Sequence, residues 1–145
     1  MILISACLCG ENCKYDGTNN LRDDLKKLYN DGKALLICPE VMGGLSTPRN
    51  PSEILPDGRV VMCDGTDVTE NFISGAKKAL EIADRVKPDL IILKAKSPSC
   101  GVGKVYDGTF SKVLKDGNGK CADLLIKNGY KVITENDDIK KHLGE

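Results

Sequence analysis

Apolar residues fall into two rhythms along this chain: short unbroken runs, and runs interrupted at helical spacing. Residues 1–6, 34–37 and 89–93 are almost wholly apolar, too short for helices, and read as buried strands. Residues 59–63 and 130–133 read as shorter strands. Leu21, Leu25 and Leu28 recur at helical spacing and predict a helix over 20–30, stopped by Asp31-Gly32. Phe72, Ala76, Ala79, Leu80 and Ala83 mark the apolar face of a second helix, which follows Thr66-Asp67-Val68-Thr69 and ends near Val86-Lys87-Pro88. Two more helices are expected over 119–128 and 135–143. Polar, glycine-containing segments lie between: a loop over 7–19, an irregular stretch over 41–57, and a long loop over 97–118 with a short hairpin inside it.

Strands that alternate with helices predict an α/β fold: a single domain over residues 1–145, a three-layer sandwich with a mainly parallel, Rossmann-like sheet. Right-handed crossovers gather the loops that leave strand C-termini along one edge, and the active site is expected there. Cys7, Cys38 and Cys100 each follow a predicted strand end, so the topology draws distant cysteines together.

Charge narrows the partners. Lys plus Arg and Asp plus Glu both number 21, so no broad basic field is present to grip an extended nucleic-acid surface. No stretch approaches the ~18 apolar residues of a spanning helix, and residues 1–7 carry no basic leader, so a cytoplasmic, membrane-free protein is expected. In a reducing compartment the seven cysteines, an odd number, stay thiols or thiolates, free for metal or chemistry.

Three of the seven fall within Cys7-Leu8-Cys9-Gly10-Glu11-Asn12-Cys13. The spacing is neither a zinc-ribbon nor a thioredoxin pair, and it differs from the common ferredoxin runs. A loop holding Cys7 and Cys13 can wrap a compact polynuclear cluster, with Cys100 closing it from another strand end. Soft thiolates select iron–sulfur clusters, zinc or copper(I). Three ligands leave one iron open for catalysis; four close the site. Cys63 and Cys121 read as small buried hydrophobes and Cys9 as a non-ligand. Cys38 reads equally as a ligand and as the last core residue of its strand.

Glu40, two residues after Cys38, is a candidate acid or base, with a helix cap or salt bridge as its bland alternative. Ser97 and Ser99 offer hydroxyls, and Gly101 offers close backbone approach to a ligand; the competing reading is an ordinary turn. Tyr15 sits in a Lys14-Tyr15-Asp16-Gly17 loop beside Cys13. Arg49 is suited to an anionic group or to a structural carboxylate such as Glu53. His142, the only histidine, lies in the charged C-terminal tail, which disfavours a Cys-His dyad.

Four motifs occur in order: Ser5-x-Cys7-Leu8-x-Gly10-x-x-Cys13-x-Tyr15-Asp16-Gly17, Cys38-Pro39-Glu40-x-x-Gly43-Gly44-x-x-Thr47-Pro48-Arg49, Lys96-Ser97-Pro98-Ser99-Cys100-Gly101 and Tyr106-Asp107-Gly108-Thr109-Phe110. Together they resemble the DUF523 family over nearly the whole chain. Cys9 departs from the pattern, which there has an aliphatic residue. The family is similar to the thiouracil desulfidase proteins, and the resemblance implies a four-iron four-sulfur cluster held by three cysteines. It implies non-redox removal of sulfur from a small thiolated pyrimidine, with release of hydrosulfide. Carried over by motif, Glu40 and Ser97 handle protons and position substrate. Ser99, Gly101, Arg49 and Tyr15 bind it. Cys7, Cys13 and Cys100 are the first choice of ligands, with Cys38 as the substitute. The competing expectations are a non-catalytic binding module with zinc or a closed cluster, and a metal-free thiol-redox protein.

Overall fold

A computed structural model of the chain describes residues 1–143. Its centre is a four-stranded, all-parallel sheet in the order β2-β1-β5-β8, made of β1 (Ile2–Ser5), β2 (Ala34–Ile37), β5 (Leu90–Leu93) and β8 (Val132–Thr134). The alternation of side chains along β1 divides the core. Ile2 and Ile4 face Leu25 of α1 (Asp23–Asn30) and Ile139 of α5 (Ile139–His142). Leu3 faces Ala76, Ala79 and Ala83 of α3 (Thr69–Val86) and Leu125 of α4 (Lys120–Lys127). These are the three expected layers. Leu3, Ile4, Ile91, Ile92 and Leu93 are fully buried, each adding about 1.5–3 kcal/mol of burial free energy.

The chain runs from β1 outward to β2, then crosses back to β5 on the other side of β1. The sheet therefore has its switch point between β1 and β5, the crevice where open α/β sheets bind ligands. Among the described residues no helix is long and apolar enough to cross a membrane.

Several expected elements change. The stretch 41–57 is not irregular throughout. A short helix α2 (Pro39–Met42) leads off, and β3 (Ser52–Ile54) pairs antiparallel with β4 (Val60–Met62). The expected hairpin in 97–118 is β6 (Lys104–Tyr106) with β7 (Leu114–Asp116). Helix α1 begins at Asp23 because Asn20 and Arg22 donate backbone N–H groups to Cys7 and Leu8, which leaves Leu21 exposed rather than in the core. The terminal helix shrinks to α5 because Asp137 caps Thr134 and Glu135 turns inward to Lys94.

Helix α2 matters to function because it carries Glu40. It is pressed onto α3 through two glycines: a Cβ on Gly43 would stand 2.0 Å from the Asn71 carbonyl oxygen, and one on Gly75 1.9 Å from that of Pro39. Lys78 and Asn71 of α3 donate to the carbonyls of Met42 and Gly43.

Candidate active site

A cavity of about 550 Å³ opens at the C-terminal edge of the sheet. Ser5, the last residue of β1, knits its floor: Ser5 Oγ accepts from Lys94 N at 3.0 Å and donates to Cys100 Sγ at 3.6 Å. This ties the exit of β1 to that of β5. Beyond Ser5 the chain makes a 3-10 turn, Ala6–Cys9, closed by Gly10 at φ 95°. The turn points Cys7 into the cavity, where Asn20 Nδ2 lies 3.8 Å from its sulfur. Cys9 faces the α1 side of the core, and burial raises its thiol to about 11.

Cys38 caps the N-terminus of α2, with Pro39 as the first helical residue. Its sulfur lies 4.0 Å from the Cys13 carbonyl oxygen. The thiols of Cys7, Cys13 and Cys38 act on one another, and Cys13 is raised by its neighbours Cys38 and Cys7. Cys7 is lowered, first by Cys13. Cys38 falls to about 7 through Cys13, the Val41 N–H and the Arg49 charge. Cys100 also lines the cavity but is buried, which pushes its thiol well up.

Glu40 projects from the first turn of α2 and forms an ion pair, through Oε2, with Arg49 Nη2. Arg49 also donates to the carbonyl oxygens of Cys13 (3.1 Å) and Ser46 (3.2 Å) and to Thr47 Oγ1 (3.2 Å). Its side chain is 3% exposed. The guanidinium is thus spent on protein acceptors: of the two readings, an anionic group or a structural carboxylate such as Glu53, the structure has a carboxylate, and it is that of Glu40. Glu40 Oε1 has no hydrogen-bond partner among the described residues and remains for water or substrate.

Ser97 also lines the cavity. Its Oγ accepts from the backbone N–H groups of Ser99 (3.1 Å) and Cys100 (3.0 Å). A hydroxyl has two acceptor positions and one donor, so what Ser97 retains is its O–H.

The family model for 2-thiouracil desulfurase matches residues 2–137. The chain belongs to that family. A curated relative, an uncharacterized protein YbbK of Bacillus subtilis (strain 168), is 42% identical over 146 residues, 94% of this chain and 97% of its own. A solved structure, described as the [4Fe-4S]-dependent thiouracil desulfidase TudS (DUF523Vcz), is 40% identical with a TM-score of 0.91, covering 99% of this chain and 95% of that one. The α/β fold, the family and the desulfidase class anticipated from the motifs are those found.

Within this desulfurase family member the predicted residues divide. Cys7, Cys13, Cys38, Cys100, Glu40, Ser97, Arg49 and Tyr15 line the same cavity. Ser99 and Gly101 do not. Ser99 is fully buried behind the wall, with an unpartnered Oγ, and its carbonyl receives the N–H groups of Cys121 and Ala122 at the start of α4. Gly101 is buried, and a Cβ there would stand 2.8 Å from the Ser97 carbonyl oxygen. Both are small because the loop must pack, not because a ligand approaches. Cys7 and Cys100, expected outside the core, are walls of core and cavity at once. Cys63, expected buried, is exposed, since β4 ends at Met62 at the periphery. Cys121 is buried as expected.

Sequence reasoning quoted Ser5, Lys96 and Phe110 within the motifs without giving them a role and passed over Asn20, Lys94 and Lys112; all six line the cavity. Lys94 follows β5 and pairs at 2.9 Å with Glu135, which is 9% exposed. Its place immediately after a central strand at the switch point was the available signal.

The donor set fits a polynuclear sulfur-ligated group. Four thiols, those of Cys7, Cys13, Cys38 and Cys100, line the one cavity, and soft thiolates are the ligands such a group takes.

Proposed function

We propose that this chain replaces the sulfur of a small thiolated pyrimidine by oxygen, without net oxidation or reduction, using a [4Fe-4S] cluster. Water supplies the oxygen, the carbon–sulfur bond breaks, and sulfur leaves as hydrosulfide. The reading is carried by one observation: Glu40 and Ser97 line the same cavity as the thiols of Cys7, Cys13 and Cys38. Cys7 and Cys13 supply two ligands. Cys38 is favoured as the third because its sulfur lies 4.0 Å from the Cys13 carbonyl oxygen, whereas Cys100 is buried and paired with Ser5. When bound, such a group with one iron free of cysteine supplies a soft Lewis acid for the substrate's sulfur.

The protein's own groups do the proton work. Arg49 holds Glu40 through Oε2, so Oε1 is presented to the cavity as the acceptor of a water proton. Ser97, its acceptor positions filled by backbone N–H groups, donates to the substrate ring or to the attacking oxygen. Tyr15 flanks the mouth, 44% exposed.

The presence of a fourth thiol, Cys100, on the wall favours a second reading, a closed four-cysteine site without turnover. One experiment separates them. Protein reconstituted anaerobically with iron and sulfide is given 2-thiouracil and 4-thiouracil, and hydrosulfide and uracil are measured. Release of both in equal amounts supports the desulfidase. A full complement of iron with no release on either base leaves the closed site.

A further inference from the structure

The cavity has a wall that the proton chemistry does not use. It is the connection between β6 and β7, residues 107–113, which brings Phe110 and Lys112 to the opening. Both residues have left-handed backbone, φ 56° and φ 63°, although neither is glycine. Such a conformation persists only where the surroundings enforce it.

The group that bonds to this tip from the sheet side is Glu53 on β3. It is 8% exposed and lies on the cavity. Its Oε1 accepts from the backbone N–H of Gly108 at 3.0 Å and of Phe110 at 3.2 Å. No cation pairs with it among the described residues: the nearby Arg49 is spent on Glu40. Hydrogen bonds to an ionised carboxylate are among the stronger ones in proteins. The tip is closed on itself by Asp107, whose carboxylate accepts from Thr109 N (3.0 Å) and Thr109 Oγ1 (2.6 Å). It is pressed against β3 at Gly108, where a Cβ would stand 2.8 Å from the Ile54 carbonyl oxygen. Beyond the tip the outer strand is little packed, with Val113 51% and Leu114 38% exposed.

We propose that Glu53 is a positioning residue that latches this hairpin tip beside the cavity and so fixes Phe110 as the wall on which a flat thiolated ring seats. The substrate rests on the desulfurase reading; the latch itself does not. Glu40 stands on α2, and Ser97 and the proposed ligand cysteines stand on the segments that leave β1, β2 and β5, outside residues 107–113, so releasing the tip weakens substrate binding and spares the chemical step.

The test compares wild-type holoenzyme with Glu53→Ala, Glu53→Gln and Phe110→Ala, using 4-thiouracil. Glu53→Ala raises KM about tenfold with little change in kcat, the size of one lost ring contact. Glu53→Gln keeps a carbonyl acceptor and restores most of the affinity. Phe110→Ala raises KM with Glu53 untouched, which guards against a Glu53 variant that folds poorly. Amide hydrogen exchange over residues 107–112, measured without substrate, accelerates in Glu53→Ala and not in Glu53→Gln. Unchanged exchange in Glu53→Ala, or a fall in kcat at constant KM, overturns the latch. A wild-type enzyme without turnover would count against the desulfurase reading alone, since hydrogen exchange still decides the latch.

Discussion

The Arg49 guanidinium is sealed against the Glu40 carboxylate, with 3% of the arginine side chain and 18% of the glutamate side chain exposed. The same guanidinium holds the carbonyl oxygen of Cys13. One buried cation therefore fixes both the proposed proton acceptor and the loop that carries a proposed ligand.

Glu40→Gln keeps a hydrogen-bond acceptor for Arg49 and loses the basic oxygen. It is expected to lower kcat about a hundredfold or more while iron and sulfide per chain stay at the wild-type level. Steady-state kinetics and metal analysis on the same sample check this. A near-normal kcat would remove Glu40 from the proton path.

Arg49→Leu removes one partner of a buried pair and leaves Glu40 and two carbonyl groups unanswered. Urea denaturation should show a loss of about 3–5 kcal/mol. Lys27→Ala, which breaks an exposed pair with Asp31, should cost no more than about 0.5 kcal/mol.

The ligand set is tested by iron content. Cys7→Ala and Cys13→Ala are expected to reconstitute with little intact cluster. Cys38→Ala is expected to behave like them and Cys100→Ala to keep its iron. The reverse pattern for the last two would move the third ligand to Cys100. Cys63→Ala, at an exposed position, should reconstitute as wild type does.

The lowered Cys38 thiol gives a pH signature in metal-free protein. A group depressed to about 7 becomes thiolate as pH rises through that value, and only the thiolate is nucleophilic. Mass spectrometry after brief alkylation should show Cys38 modification climbing between about pH 6 and 8. Cys9, raised to about 11, and Cys121, raised to about 12, should stay unmodified there. Equal labelling of all three would refute the lowered Cys38 thiol.

Gly75→Ala inserts a methyl group where Pro39 of α2 presses on α3. The expected result is about 1–3 kcal/mol of destabilisation, together with lost activity as α2 shifts Glu40. Gly65→Ala stands where no atom lies within 4 Å of a new Cβ, so any cost there comes from its backbone, φ 91°, and activity should survive.

The sequence by itself determined the sheet and the edge on which the chemistry gathers. Runs such as residues 90–93 are apolar at every position because a parallel strand is covered on both faces. Once those strands were parallel, Cys7, Cys38 and Cys100 had to leave from one edge, whatever their separation along the chain. The motifs carried the family, since spacing within a loop is local information. Only the tertiary structure decided how the wall is shared out. Ser99 and Gly101 each adjoin the cavity-lining Cys100, yet both turn inward to pack against α4 and β6, a choice made by close approach of distant backbone. Arg49 took Glu40 rather than Glu53 because a pairing between loops depends on where β2 and β3 end in space. Glu53 was thereby left to a pair of backbone N–H groups more than fifty residues away, a partnership with no trace in the pattern of residue types.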